Sequence, residues 1–466
     1  MNLDQRHPSS FRDPSGFVFL DQESGVLLRQ INTVYREHYD AFISSGLYQA
    51  LISANQLVAH EEVAARKAAE PMHAYKIIKP KKVPFISYPF EWSFSQLQDA
   101  ALLVLAIQQK ALERGMTLKD ASAYNIQFVE GRPILIDTLS FEKYISGRPW
   151  IAYRQFCQHF LAPLALMSYT DIRLSQWFRV YLDGIPLDLA SKLLPRRTYF
   201  SLGLLAHIHL HAKSQHYFAD KPVNLSRRRL SVTSLLGLID NLMAIIKRLY
   251  WDPKGTEWGE YYTVTNYADQ SFEHKKSLVG EFLEKCAAKS VWDVGANEGV
   301  FSRIASGKGI TVVSFDYDPA AVEKNYRWQR RNREKNILPL LIDITNPSPS
   351  FGWANQERDS LLKRGPVDCA FVLALIHHLR ISNNIPFQYI ARFFRSIAKN
   401  LIIEFVPKSD SQVHRLLATR PDIFPDYTRE SFEFEFKNFF TIMAREHIAG
   451  SERTLYLMRA RSTTGK

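Results

Sequence analysis

The pattern of apolar and polar positions changes character along the chain. Residues 16–31, GFVFLDQESGVLLRQI, place two apolar segments around a Gln-Glu-Ser-Gly turn and predict a β-hairpin. Residues 32–68 read mainly as helical, and the Lys/Pro-rich IIKPKKVPFISYP stretch that follows reads as short strands and turns. A helix is expected from Ser95 to Arg114, with Ser95 as its N-cap and Gly115 just past its end. Asn125–Val129 and Pro133–Asp137 then form two strands around Glu-Gly-Arg, and residues 149–212 carry apolar and aromatic side chains at helical spacing.

After a segment holding Arg227-Arg228-Arg229, an apolar helix and the turn-rich WDPKGTEWG, the pattern becomes strict strand–helix alternation. Strands are expected at Val291–Val294, Thr311–Phe315, Leu338–Ile342, Val367–Leu373 and Asn400–Glu404. Such alternation predicts a parallel sheet covered on both faces. The expected organisation is an α+β domain over residues 1–225, a junction over 226–258 and an α/β domain over 259–466.

Length and composition add bounds. At 466 residues, with 46% hydrophobic and 23% charged positions, the chain has material for two or more ordinary cores. A net charge of +12 raises nucleic acid as a partner, but spread over this length it reads as solvated surface, and nucleic acid is not favoured. Cys157, Cys286 and Cys369 are odd in number and lack CxxC spacing, so neither a zinc site nor a disulfide framework is expected and a reducing cytoplasm fits. The polar start MNLDQRHPSSFRDPSG has no signal-peptide core, and no apolar run approaches the roughly 20 residues that span a bilayer.

The strand VWDV runs into Gly295-Ala296-Asn297-Glu298-Gly299 and then a helix. Small residues there let a ligand approach the backbone at the strand's carboxyl end. Asp316 ends the next strand beside that turn, where a carboxylate can accept from both ribose hydroxyls, and Asp343 ends the third, where an adenine amino group can be read. Each aspartate taken alone also reads as a helix cap. The stretches DVGANEGVFSR, FDYDP, LIDIT, DCAFVLALIHHL and NLIIEFVP together resemble class I S-adenosylmethionine-dependent methyltransferases, in that family's order. The resemblance implies a seven-stranded Rossmann-like sheet whose last strand is antiparallel. It implies further that Asp293, Gly295, Asn297 and Gly299 form the methionine-end loop, Asp316 the ribose clamp, and Asp343 with Ile344 the adenine pocket. A nicotinamide dehydrogenase is disfavoured because the turn lacks GxGxxG.

His377 and His378 follow the fourth strand, where a methyl acceptor would arrive, and either can take a proton near neutral pH or serve as a structural group. The strand lacks an Asn/Asp-Pro-Pro-aromatic motif, which weakens an exocyclic-amine acceptor. Tyr262 and Tyr267 are lid candidates, and the Arg-rich stretch from Arg327 to Arg333 reads first as a solvated helix end.

In the first half, Asp120 and Asn125 stand five apart and Asp137 follows a short hairpin, so LKDASAYN and ILID resemble the catalytic loop and metal-binding aspartate of kinases. ATP and Mg2+ would follow from that resemblance, with Lys76 or Lys79 as the nucleotide-anchoring lysine. Departures are Leu118 and Lys119 in place of His-Arg, Thr138-Leu139 in place of Phe-Gly, and no GxGxxG loop. With YPFEWSFSQLQDAA, the chain as a whole resembles bacterial two-part methyltransferases, including nodulation-associated ones. The expected activity is cytoplasmic methyl transfer to an unidentified acceptor that the N-terminal half recruits or positions. A bifunctional protein with a small-molecule phosphotransferase and a non-catalytic cofactor-binding module are the alternatives.

Overall fold

The computed structural model describes residues 6–64, 67–213, 230–256, 269–418 and 421–462. Contacts divide the chain into two units, one of Met1–Asp252 with Phe351–Arg358 and one of Pro253–Ser350 with Asp359–Lys466.

In the first unit, β1 (Gly16–Leu20) and β2 (Leu27–Asn32) pair antiparallel, Gly16 opposite Ile31. Alternate side chains Phe17 and Phe19 turn inward with Leu28 and Ile77 into one apolar cluster. The sheet continues through β4 (Ala74–Pro80) to β3 (His60–Val63) in the order β1-β2-β4-β3. The helical expectation for residues 32–68 therefore holds only in part. Helices α1 (Arg36–Ser44) and α2 (Leu47–Ser53) form, but His60–Val63 pairs with β4 as an edge strand. Sheet pairing supplied by a distant segment outweighs the local preference there.

Helix α3 (Phe94–Leu112) is capped by Ser93, not by Ser95. The Ser93 hydroxyl accepts from the Gln96 N–H at 3.4 Å while Gln96 Oε1 accepts from the Ser93 N–H at 2.9 Å. This reciprocal S-x-x-Q box satisfies two donors that a helix start leaves over, and Ser95 lies two residues further on as a buried helical residue. Gly115 follows the helix at φ +69°. Next, β5 (Met116–Leu118) pairs with β8 (Phe141–Lys143), enclosing the tight hairpin of β6 (Ile126–Val129) and β7 (Arg132–Leu135). Glu130 and Gly131 at its tip have φ +49° and +74°, the two positive values that a two-residue I′ turn needs.

The second unit is built on a seven-stranded sheet. Its strands are β9 (Ser290–Val294), β10 (Thr311–Asp316), β11 (Ile337–Leu341), β12 (Val367–Val372), β13 (Ala398–Phe405), β14 (Phe440–His447) and β15 (Thr454–Ala460), in the order β11-β10-β9-β12-β13-β15-β14. β9 to β13 run parallel, and β15 lies antiparallel between β13 and β14. Continuous apolar runs suit the central strands because both faces are covered: Val291, Val312, Cys369, Phe371 and Ile402 share a core with Leu278, Val279 and Phe282 of α4 (Asp269–Cys286) and Phe301 of α5 (Val300–Ser306). The order reverses between β9 and β12, and in open α/β sheets the crevice at such a reversal, outside the strands' carboxyl ends, is where ligands bind. Tyr262, Tyr267 and Arg227-Arg228-Arg229 lie outside the described residues. No helix among the described residues is long and apolar enough to cross a membrane.

Replacing Ser93 with Ala is expected to lower stability by about 1 kcal/mol through loss of the cap. The check is an earlier urea midpoint at unchanged slope for Ser93→Ala.

Candidate functional site

At the reversal point a cavity of about 370 Å³ opens over the carboxyl ends of the parallel strands. It is lined by Asp293 and Val294 of β9, Gly295, Ala296 and Asn297 of the turn, Asp316 of β10, Asp343 and Ile344 beyond β11, Leu373 and Ala374 beyond β12, and His378. Seven of the positions expected from sequence thus converge: Asp293, Gly295, Asn297, Asp316, Asp343, Ile344 and His378.

The turn is held by its neighbour strand. The N–H groups of Gly295 and Ala296 both donate to the Phe315 carbonyl at 2.9 Å, and the Asn297 N–H donates to Asp316 Oδ2 at 2.8 Å. Gly295 at φ +75° and Asn297 at φ +50° take left-handed conformations that Gly and Asn tolerate best. The other Asp316 oxygen accepts from the Asp318 N–H at 2.9 Å. The helix-cap reading of Asp316 is met instead by Asp318, whose carboxylate caps α6 (Pro319–Asn332) through Ala320 and Ala321. Burial pushes the Asp316 carboxyl up to about 6, against the pull of these N–H groups. Asp343 is exposed, and its Oδ1 accepts from the Thr345 N–H and hydroxyl at 2.8 and 2.7 Å, which fixes the loop's bend.

Asp293 is buried, accepts from the Ser302 hydroxyl at 2.7 Å and is raised by burial to about 6. Gly299 departs from its expected role. It caps α5 at φ +79° and is not among the residues lining the cavity; a Cβ there would stand 2.6 Å from the Asn325 amide. It is needed for close helix packing.

The two histidines separate. His377 is buried in the core and does not line the cavity, whereas His378 does. Burial and then the charge of Arg453 depress His378 to about 4, so its imidazole is neutral at pH 7. Behind them lies a charged group that periodicity and motif spacing left unmarked. Glu404, at the end of β13, accepts from Lys275 Nζ at 2.6 Å, from Arg453 Nη1 at 3.2 Å and from the Ala374 N–H at 2.8 Å. Arg453 is held in turn by Asp410 at 2.6 Å. Burial alone would raise Glu404, yet Lys275 and Arg453 hold it at about 2. A glutamate interrupting the apolar strand NLIIEF was the available signal.

In the first unit the kinase-like residues also meet. Asp120 accepts from the Asn125 amide at 3.0 Å, the Gln155 amide at 2.8 Å and the Ser122 N–H at 2.9 Å. Burial and then the nearby Asp137 charge raise its pKa. Asp137 is buried, forms an ion pair with Arg29, and accepts from the Ser140 hydroxyl and the Leu139 N–H. Burial would raise its pKa, and Arg29 reverses that. Neither lysine singled out from sequence reaches this cluster: Lys76 pairs with Glu62 at 2.6 Å and Lys79 with Glu61 at 2.9 Å. Arg29 takes the cationic place instead. Both oxygens of each aspartate accept from protein donors, and among the described residues no group of three or more His, Cys, Asp or Glu is placed to hold a metal.

No protein-family model matches the chain. The nodulation protein NoeA of Rhizobium meliloti (strain 1021) is 35% identical over 460 residues, covering 97% of this chain and 95% of NoeA. The chain belongs to the NoeA family. Among solved structures, this NoeA-family chain is similar to the N-methyltransferase NodS from Bradyrhizobium japonicum WM9 in complex with S-adenosyl-L-homocysteine, at 14% identity and a TM-score of 0.32, over 44% of this chain and 97% of NodS. It is also similar to the bifunctional kinase-methyltransferase WbdD, at 15% identity and a TM-score of 0.29, over 41% of this chain and 40% of WbdD, so the match spans about two fifths of WbdD's length.

A methyl group at position 299 combines a strained φ with a clash against Asn325. Gly299→Ala is expected to cost about 2 kcal/mol in denaturant unfolding. Gly280→Ala, whose Cβ would meet only Ile304 at 3.8 Å, is the control and is expected to leave stability equal or higher.

Proposed function

We propose that the second unit is an S-adenosylmethionine-dependent methyltransferase. One observation carries this reading: the Gly295–Asn297 turn, Asp316 and Asp343 line a single cavity at the strand-order reversal. The residues fit the donor. Gly295 offers backbone without a Cβ, and a carboxylate has lone pairs beyond those used by the Asn297 and Asp318 amides, so Asp316 can still accept from two ribose hydroxyls. Asp343 and Ile344 supply an acceptor and an apolar wall for adenine. A volume of about 370 Å³ lies in the range of ligand cavities.

The bound donor supplies an electrophilic methyl on a sulfonium, and transfer is an in-line displacement. The chain's own task is alignment and exclusion of water. Ala374 and His378 stand on the side where the acceptor arrives. A neutral His378 accepts a hydrogen bond from an acceptor O–H or N–H without setting a second positive charge beside the sulfonium. His377 is buried with its ring centre 4.2 Å from that of His378 and does not line the cavity. Kinship with a nodulation protein supports a role of the transfer in nodulation.

For the first unit we propose recruitment or positioning of the acceptor. Phosphotransfer is the second reading, favoured by the meeting of Asp120, Asn125 and Asp137 and opposed by the Arg29 ion pair. ATP with Mg2+ at millimolar concentration is expected to leave the melting temperature of the full chain unchanged. A rise that Asp137→Ala abolishes would restore the phosphotransferase.

Isothermal titration with S-adenosylhomocysteine checks the donor site. The wild type is expected to bind and Asp316→Ala to bind at least about tenfold more weakly, the loss of charge-assisted hydrogen bonds. Because an ionised Asp316 accepts from the ribose more strongly than a protonated one and burial raises its pKa to about 6, affinity is expected to fall as pH drops through 6. Absent wild-type binding, or equal binding by the variant, contradicts the assignment.

A further inference from the structure

The first unit carries an apolar tip rimmed by positive charge. Phe200 is 89% exposed and Leu202 82%, although Thr198 and Leu204 on either side of them are buried. Single exposed apolar side chains are common on globular proteins and call for no explanation. Tyr199, Phe200 and Leu202 are exposed together on one turn, and that turn is held from beneath. The Thr198 hydroxyl donates to the Pro195 carbonyl at 2.7 Å and lies 2.9 Å from His209 Nε2, while His209 Nδ1 lies 2.8 Å from Ser191 Oγ. The Tyr199 ring stacks on that of His209 with centres 3.8 Å apart. Gly203 is pressed so closely on the helix Val232–Arg248 that a Cβ would stand 2.3 Å from Ile245. These contacts fix the backbone and leave Phe200 and Leu202 pointing into solvent.

Charge decides what such a tip fits. From Ala190 to Lys213 the chain has four Lys or Arg and no Asp or Glu, and Lys192, Arg196 and Arg197 are exposed. Arg196–Phe200 is a 3-10 turn, in which side chains three positions apart eclipse, so Arg196 stands beside Tyr199 and Arg197 beside Phe200. The acidic neighbour is Asp188, whose carboxylate lies 4.0 Å from Lys192. A protein partner would have to supply an acidic-rimmed hollow shaped to a convex tip. A bilayer containing anionic lipid needs no such match, because fluid acyl chains take in apolar side chains of any outline and lipid phosphates meet the guanidinium groups.

We propose that this tip docks the chain on an anionic lipid bilayer, with Phe200 and Leu202 entering the boundary between headgroups and acyl chains and Lys192, Arg196 and Arg197 set against lipid phosphates. A chain held in this way lies on a membrane and does not span it, in keeping with the lack, among the described residues, of a helix long and apolar enough to cross one. Docking stands apart from methyl transfer, since none of these residues lines the cavity at the strand ends.

Co-sedimentation of the full chain with lipid vesicles tests the proposal. The wild type is expected to pellet with vesicles of equal parts phosphatidylcholine and phosphatidylglycerol, less so as salt rises, and to stay in solution with phosphatidylcholine alone. A net charge of +12 attracts any such chain to anionic vesicles, so the deciding variant keeps the charge and changes only the tip: Phe200→Ser with Leu202→Ser. Both side chains are exposed, so the melting transition is expected to stay in place while binding weakens at least about tenfold. Arg196→Gln with Arg197→Gln is expected to weaken binding about tenfold as well. A wild type that stays in solution with both vesicles, or a serine double variant that pellets as the wild type does, overturns the proposal. A wild type that ignores vesicles and is a dimer in sedimentation equilibrium, split by the serine substitutions, overturns it too and makes a second copy of the chain the occupant of the tip.

Discussion

Asp316 accepts the Asn297 N–H from the turn after β9 and the Asp318 N–H from its own loop, so one buried carboxylate ties two neighbouring strand tips together. The rest of the cavity depends on this. Without that acceptor, the Asn297 N–H would be a buried donor left over, and Gly295 and Asn297 would have less to hold them at positive φ. The same burial that makes the two bonds strong also raises the carboxyl's pKa to about 6, so the group that shapes the turn is poised to gain from further donors. A ligand bringing hydroxyl groups supplies them.

The opposite wall is held by charge. Glu404 collects an ammonium, a guanidinium and the N–H of Ala374, a residue at φ +50°. A buried carboxylate with three donors from three segments fixes the bend after β12 more firmly than apolar contact could, because hydrogen bonds in a low-dielectric interior are directional and costly to leave unmade. Burial first lowers the pKa of both histidines, and the positive charge gathered there, Arg453 included, lowers it further. The turn, Asp316 and the Glu404 network form one electrostatic arrangement around a single opening.

In the first unit the same accounting gives a different outcome. Asp120 and Asp137 are brought near one another by a hairpin and a loop, and each accepts from several protein donors, with Arg29 from β2 supplying the positive charge. Two carboxylates sharing a buried neighbourhood need a cation, and a guanidinium meets that need without a metal. Aromatic rings of Tyr88, Phe90 and Tyr124 in this unit close around Phe351, a residue far along the chain that belongs to the same unit.

The sequence by itself determined the alternating strands of the second unit, to within a residue or two, and the glycine turn with Asp316 and Asp343 at neighbouring strand ends. Those features are written in local periodicity and in residue types that only certain backbone conformations accept. Helix starts were less legible: Ser93 outcompetes Ser95 because Gln96 answers it three residues on. Only the tertiary structure decided that Lys275, Glu404 and Arg453 form one group, that Arg29 and neither Lys76 nor Lys79 faces Asp137, that His378 lines the cavity and His377 does not, and that Phe351–Arg358 joins the first unit. Lys275 and Glu404 are 129 positions apart, and Arg29 and Asp137 are 108 apart. Ion pairs at such separations leave no periodic trace, since their partners are chosen by how whole elements pack and not by what lies next to them in the chain.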